Sequence, residues 1–233
     1  KVLGLIFSKA STRTRVSFTV AMARLGGQTL DLNPQVTQVG RGEPVADTAR
    51  VLSRYVDALA IRTFAQEELA EYAHWASIPV INALTDSFHP CQILSDLMTI
   101  IERKGGYENV TVAWVGDGNN VANSWVNAAS VLGFDLRLAC PDGHSIGPDI
   151  IANAGADTMA NIVFTNDPKE AVKNADVVYT DVWASMGEED ELEGRLAAFK
   201  GFQVNQELLS HAKPNVRRNT TATDLQIINQ KRQ

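Results

Sequence analysis

Residues 11–15 read Ser-Thr-Arg-Thr-Arg, three hydroxyls and two guanidiniums in one unbroken run. At the point where a strand hands over to a helix, such a run suits a small oxyanion. The helix offers backbone N–H groups and the positive end of its dipole; Ser11, Thr12 and Thr14 add hydroxyl donors, and Arg13 adds a planar fork. No glycine-rich loop or Gly-Lys-Ser/Thr accompanies it, so it is not a P-loop. The ordinary alternative is an N-capping hydroxyl beside solvated arginines. Arg15 turns to another helical face, where a structural salt bridge is expected.

Three further clusters carry polar groups in places that suit chemistry. In "SFHPCQ" (87–92), His89 and Gln92 stand at a helix entry, where an imidazole and an amide can meet one carbonyl-type group; a capping or packed histidine is the alternative. Arg62 ends the buried run "DALAIR", which calls for an anion or an internal carboxylate to meet it. In "WVGDGNNVANS" (114–124), Gly116 and Gly118 begin a dinucleotide fingerprint, but Val121 stands where its third glycine belongs, so a nicotinamide cofactor is not supported. Asn119 and Asn120 there offer amides for a carboxylate or an amino-acid backbone, one of them doubling as a helix cap. In "DVWASMGEED" (181–190), Asp181 can accept from an ammonium, with Ser185 and Met186 turned toward the same ligand; a plain acidic loop is the alternative. Cys91 and Cys140 form no Cys-x-x-Cys pair and read as buried thiols of a reducing compartment, not as metal ligands or a disulfide.

These clusters need a scaffold that delivers strand ends to one edge. Apolar runs of strand length alternate with segments of helical period, the pattern of βαβ units and parallel sheets. Strands are expected near 2–7, 27–32, 57–62 and 78–82. Helices are expected over 12–26, with Val16, Val20, Ala23 and Leu25 on one stripe, then over 43–56 and 65–76. A helix opening at Pro90 and ending at Gly105-Gly106 joins this series to a second: strands in 110–116, 136–141, 161–167 and 176–183, and helices in 121–133, 149–158 and 168–175. The expected fold is α/β: two doubly wound parallel-sheet domains with a cleft between them, over residues 1–104 and 105–214, with ligands beyond the carboxyl ends of the strands. Residues 215–233, with four basic groups, one acid and little periodicity, read as an atypical, disordered tail.

Composition narrows the class. The chain has 233 residues, 45% of them hydrophobic and 21% charged, and a formal charge of −6. That balance provides no footprint for nucleic acid, and no apolar run reaches the roughly 18 residues of a membrane span. Without a signal or transit pattern at its start, the chain is expected to be soluble and cytoplasmic, with small molecules as its partners.

In this order, the four clusters resemble the transcarbamoylase family, and "HPCQ", "GDGNN" and "DVWASMG" resemble its ornithine-using branch. The resemblance covers residues 1 to about 214. It implies a carbamoyl-phosphate domain (1–104) followed by an ornithine domain (105–214), homotrimers, no cofactor and no metal. The implied reaction moves a carbamoyl group from carbamoyl phosphate to the δ-amine of ornithine, giving citrulline and phosphate in arginine biosynthesis. By the same likeness, Ser11, Thr12, Arg13 and Thr14 hold the phosphate. Arg62, His89 and Gln92 hold or polarise the carbamoyl end, with Thr14, Arg62 and His89 catalytic. Gln38, in "VTQVGRGE", reaches the phosphate site of a neighbouring subunit, and Asn120, Asp181, Ser185 and Met186 hold the α-amino and α-carboxylate groups of ornithine. Asp181 and "SMG" favour a free α-ammonium over a diamine or an acetylated substrate. The family pattern also has a helix before the first strand and an "HCLP" segment after "HAKP", neither of which is found here. A truncated product is therefore expected, with a non-catalytic phosphate-ligand or partner-binding module as the alternative function.

Overall fold

The computed structural model describes residues 1–155, 160–181 and 192–214, and divides the chain into two compact units, Lys1–Leu94 and Ser95 onward. In the first, β1 (Val2–Phe7), β2 (Gln28–Asp31), β3 (Ala58–Arg62) and β4 (Val80–Leu84) form a parallel sheet in the order β2-β1-β3-β4. Helices α1 (Thr12–Arg24), α2 (Val45–Leu52) and α3 (Gln66–Trp75) connect them, and α4 (Pro90–Lys104) follows. The second unit pairs β5 (Thr111–Val115), β6 (Asp135–Ala139), β7 (Ile162–Thr165) and β8 (Val177–Tyr179) in parallel, in the order β7-β6-β5-β8. Its helices are α5 (Asn120–Leu132), α6 (Pro148–Gly155), α7 (Pro168–Val172), α8 (Leu192–Ala198) and α9 (Gln206–Leu209).

Both sheets are covered on both faces, as their near-continuous apolar strands require. Alternate residues of β1 face opposite layers: Leu3, Leu5 and Phe7 pack under α1 with Phe18 and Met22, while Ile6 joins Ala49, Leu69 and Tyr72 of α2 and α3. In the second unit, Ala113, Val115 and Val178 pack against Ala171, Val172 and Leu208 of α7 and α9. On the other face Trp114 stacks on Tyr179 (centroids 5.4 Å apart), which meets Trp125 of α5 at 5.7 Å.

The stripe Val16, Val20 and Leu25 is the exposed one, at 54, 41 and 84%. The packed positions of α1 are Phe18 and Met22, one turn apart on the other side. Arg15 lies on a side consistent with this rotation, pairing with Asp31 and lying over the Phe7 ring, 5.1 Å from its centroid. β4 lies two residues later than its apolar run suggests, at Val80–Leu84. Short 3-10 turns at Pro34–Val36 and Gln38–Arg41, and helices α8 and α9, fall where the alternation of runs assigns no element. Among the described residues no helix is long and apolar enough to cross a membrane.

Candidate functional site

In an open parallel sheet the neighbouring strands whose connections run opposite ways leave a crevice at their carboxyl ends. Here those neighbours are β1 and β3 in the first unit, and β5 and β8 in the second. Each candidate segment follows one of these strands or the strand beside it.

In the first unit the register aligns Phe7 with Arg62 and Arg62 with Leu84, so three strands end at one level. The exits are tied together: Ser8 N–H donates to Arg62 O (2.8 Å), Thr63 N–H to Leu84 O (3.0 Å), and Asp86 N–H to Phe64 O (2.9 Å). Lys9, just before the Ser-Thr-Arg-Thr-Arg run, pairs with Asp86 and sits 4.4 Å from the Phe64 ring centroid. The start of α1 and the His89 segment are thereby held beside Arg62.

Ser11 occupies the N-cap of α1 with extended backbone, yet its hydroxyl makes no capping bond, and no acid stands in the first turn. The N–H groups of that turn are therefore left for another acceptor. Among the described residues neither Arg13 nor Arg62 forms an ion pair. Arg62 Nε is buried without a hydrogen-bond partner. Burial, and then the charge of Arg13, push the Arg62 cation below its usual range. His89 feels the same field: burial, then Arg62, push its imidazole down to about 4, so it is neutral at physiological pH. Gln92 N–H donates to His89 O (3.1 Å) in the first turn of α4. Cys91 Sγ, turned aside, contacts Asn82 O at 3.3 Å, and burial raises its thiol. Gln38 is exposed on its 3-10 turn, and its side chain forms no hydrogen bond with the other described residues. What accumulates at these strand ends is unmatched positive charge and donors, the complement of a dianion.

The second unit is built differently. Asn119 caps α5, its Oδ1 accepting from Val121 N–H (3.0 Å) and Ala122 N–H (3.1 Å). Its Nδ2 donates to Asp181 Oδ2 (3.3 Å), so the cap joins the two halves of the expected amino-acid site. Asn120 follows as the first residue of α5, and Asp181 lies just past β8. Thr180 Oγ1 donates to Val115 O (2.6 Å), locking the ends of β5 and β8 together. Gly118 is not a phosphate-approach glycine: a Cβ there would come 2.5 Å from the Ser145 carbonyl carbon, so the loop backbone already fills the space a dinucleotide would need. Ser185 and Met186 lie outside the described residues.

Side chains to which the sequence assigned no role organise this edge. Asp117 receives a hydrogen bond from Arg195 Nη1 of α8 (2.7 Å), has His144 Nδ1 at 3.7 Å, and its carbonyl accepts from Trp114 Nε1 (3.0 Å). Lys9 plays a comparable part within the first unit, through Asp86. A single charged residue carries no signal in sequence when its partner lies about eighty positions away. Among the described residues no group of His, Cys, Asp and Glu could hold a metal ion.

Comparison with known proteins also divides the chain in two, with the boundary between residues 102 and 108 rather than at Leu94. Two family models match, "Aspartate/ornithine carbamoyltransferase, carbamoyl-P binding domain" over residues 1–102 and "Aspartate/ornithine carbamoyltransferase, Asp/Orn binding domain" over 108–217. A curated relative from Prochlorococcus marinus, named ornithine carbamoyltransferase, is 59% identical over 217 residues, which is 92% of this chain and 68% of the relative. The ornithine carbamoyltransferase structure from Pyrococcus furiosus matches with a TM-score of 0.85 and 52% identity, over 92% of this chain and 69% of its own. That from Gloeobacter violaceus matches with a TM-score of 0.80 and 50% identity, over 92 and 70%.

Proposed function

The chain belongs to the aspartate/ornithine carbamoyltransferase family, and from that premise we propose that it transfers the carbamoyl group of carbamoyl phosphate to the δ-amine of ornithine, giving citrulline and phosphate. The observation that carries the reading is the pair of unmatched cations, Arg13 in the uncapped first turn of α1 and Arg62 at the end of β3. A phosphorylated donor relieves both at once.

Ser11, Thr12, Arg13 and Thr14 bind the phosphate through hydroxyls, backbone N–H groups and the guanidinium. Arg62, His89 and Gln92 face the carbamoyl end. The neutral δ-amine attacks the carbamoyl carbon, and the carbonyl oxygen gains negative charge as the tetrahedral centre forms. Thr14, Arg62 and the neutral His89 donate hydrogen bonds to it without reorganising. The C–O bond to phosphate then breaks, the electron pair leaves with phosphate into the arginine-lined cradle, and the departing phosphate takes up the proton that the nitrogen releases. Orientation and charge stabilisation account for this chemistry. In the second unit Asn120 and Asp181, with Ser185 and Met186, bind the α-carboxylate and α-ammonium of ornithine. The Asn119–Asp181 hydrogen bond supports that assignment, since it fixes the carboxylate beside the helix start. Gln38 serves the phosphate site of a second copy in a homotrimer, a reading supported by its exposed and locally unengaged side chain.

The test is direct. Incubated with carbamoyl phosphate and ornithine, the protein should release citrulline and inorganic phosphate in equal amounts, and carbamoyl phosphate should bind by calorimetry with no ornithine present. Absence of carbamoyl-phosphate binding would end the assignment.

A further inference from the structure

His89 is the last residue before α4, and the turn that presents it is closed by one side chain. Thr85 follows β4 and is fully buried. Its N–H donates to Phe88 O (2.9 Å), while its Oγ1 accepts from Phe88 N–H (3.1 Å) and donates to Gln66 Oε1 (2.7 Å). Gln66 is the first residue of α3, whose opening turn is itself anchored where Glu68 accepts from the Thr63 hydroxyl at the exit of β3. The segment 85–88 is thus a closed loop clipped to a neighbouring helix, and the next residue in the chain is the imidazole.

We propose that Thr85 is the positioning residue for His89: its hydroxyl, accepting from Phe88 N–H and donating to Gln66, fixes the turn and so holds the imidazole under cover beside Arg62. Only an alcohol meets both demands in a closed site. An amide or carboxylate is too long for the reciprocal pair with Phe88, and an isosteric aliphatic leaves both the Phe88 N–H and Gln66 Oε1 without their partner. That His89 is worth holding rests on the carbamoyl-transfer reading; how it is held does not. The charge acting on the imidazole is Arg62 of β3, on which Arg13 of α1 presses in turn, while Lys9 and Asp86 of the adjoining turns neutralise each other as a pair.

Histidine-labelled NMR titration of the whole chain tests it, with His74, His144 and His211 as internal references. The wild-type His89 should titrate near pH 4. In Thr85→Val the imidazole gains water, and its midpoint should rise by at least about 1 pH unit while the reference histidines stay put. Thr85→Ser should keep the wild-type midpoint. A folded Thr85→Val protein with an unmoved His89, or a Thr85→Ser protein displaced as far as the valine variant, overturns the proposal. Should Thr85→Val not fold, Gln66→Met removes the acceptor alone; an upward move there supports the role and an unmoved midpoint overturns it. Carbamoyl-phosphate binding to the wild type is measured on the same samples, so a failed substrate reading and a failed positioning role give separate signatures.

Discussion

Arg195 Nη1 lies 2.7 Å from Asp117 Oδ2, and both side chains are nearly enclosed, at 11 and 14% exposed. Two charges removed from water this far survive only as a pair. Asp117→Asn or Arg195→Met should each lower the unfolding free energy by about 3–5 kcal/mol in urea titrations, and the double replacement should cost clearly less than the sum. Additive losses would mean that the pair does not act as a unit.

The two helix starts that carry candidate ligands should answer oppositely to truncation. Asn119→Ala removes a cap with two accepted N–H bonds and should cost about 1–2 kcal/mol of stability. Ser11→Ala removes a hydroxyl that caps nothing, so its stability cost should stay within about 0.5 kcal/mol while affinity for carbamoyl phosphate falls. Thermal melts with calorimetry on both variants decide the matter; a large stability loss at Ser11 would mark it as an ordinary cap.

Arg13→Ala and Arg62→Ala should each weaken carbamoyl-phosphate binding about 30- to 150-fold, the worth of a charge-assisted hydrogen-bond set of roughly 2–3 kcal/mol. Arg62→Ala should leave unliganded stability unchanged or improved, because burial disfavours its cation and no carboxylate answers it among the described residues. Unaltered affinity in both variants would empty the cradle of its purpose.

His89 also writes itself into the pH dependence of folding. Its imidazole falls from 6.5 to about 4 on burial beside Arg62, so between those values the unfolded chain binds a proton that the folded chain lacks. The resulting penalty is absent above pH 6.5, grows as pH falls, and is complete below about 4, where it is on the order of 3 kcal/mol. Denaturation of wild type and His89→Gln at pH 4 and pH 7 should show the steeper acid loss in the wild type. Equal slopes would place His89 in water.

The strands were legible because a strand buried on both faces must be an apolar run, as in "VLGLIF" and "TVAWV". The positions of the Ser-Thr-Arg-Thr-Arg and His-Pro-Cys-Gln segments, at the entries of α1 and α4, were legible because an apolar run precedes each and a helical period follows it; what they bind is a proposal. The rotation of α1 was not. Val16, Val20 and Leu25 form as regular a stripe as Phe18 and Met22, and only the packing of α1 on β1, where Phe18 and Met22 meet Leu3, Leu5 and Phe7, distinguishes them. What Gly118 is for was not legible for a related reason: close backbone approach looks the same in sequence whether the neighbour is a ligand or the Ser145 loop. Lys9, Asp117 and Arg195 acquire meaning only from partners that folding brings near.

Among the described residues every strand finds its neighbours within its own half of the chain: β1 to β4 pair with one another, and so do β5 to β8. During synthesis, all four members of the amino-terminal sheet are translated before the first strand of the other. The strands of that first sheet can therefore find one another while no foreign strand yet exists to compete for their open edges.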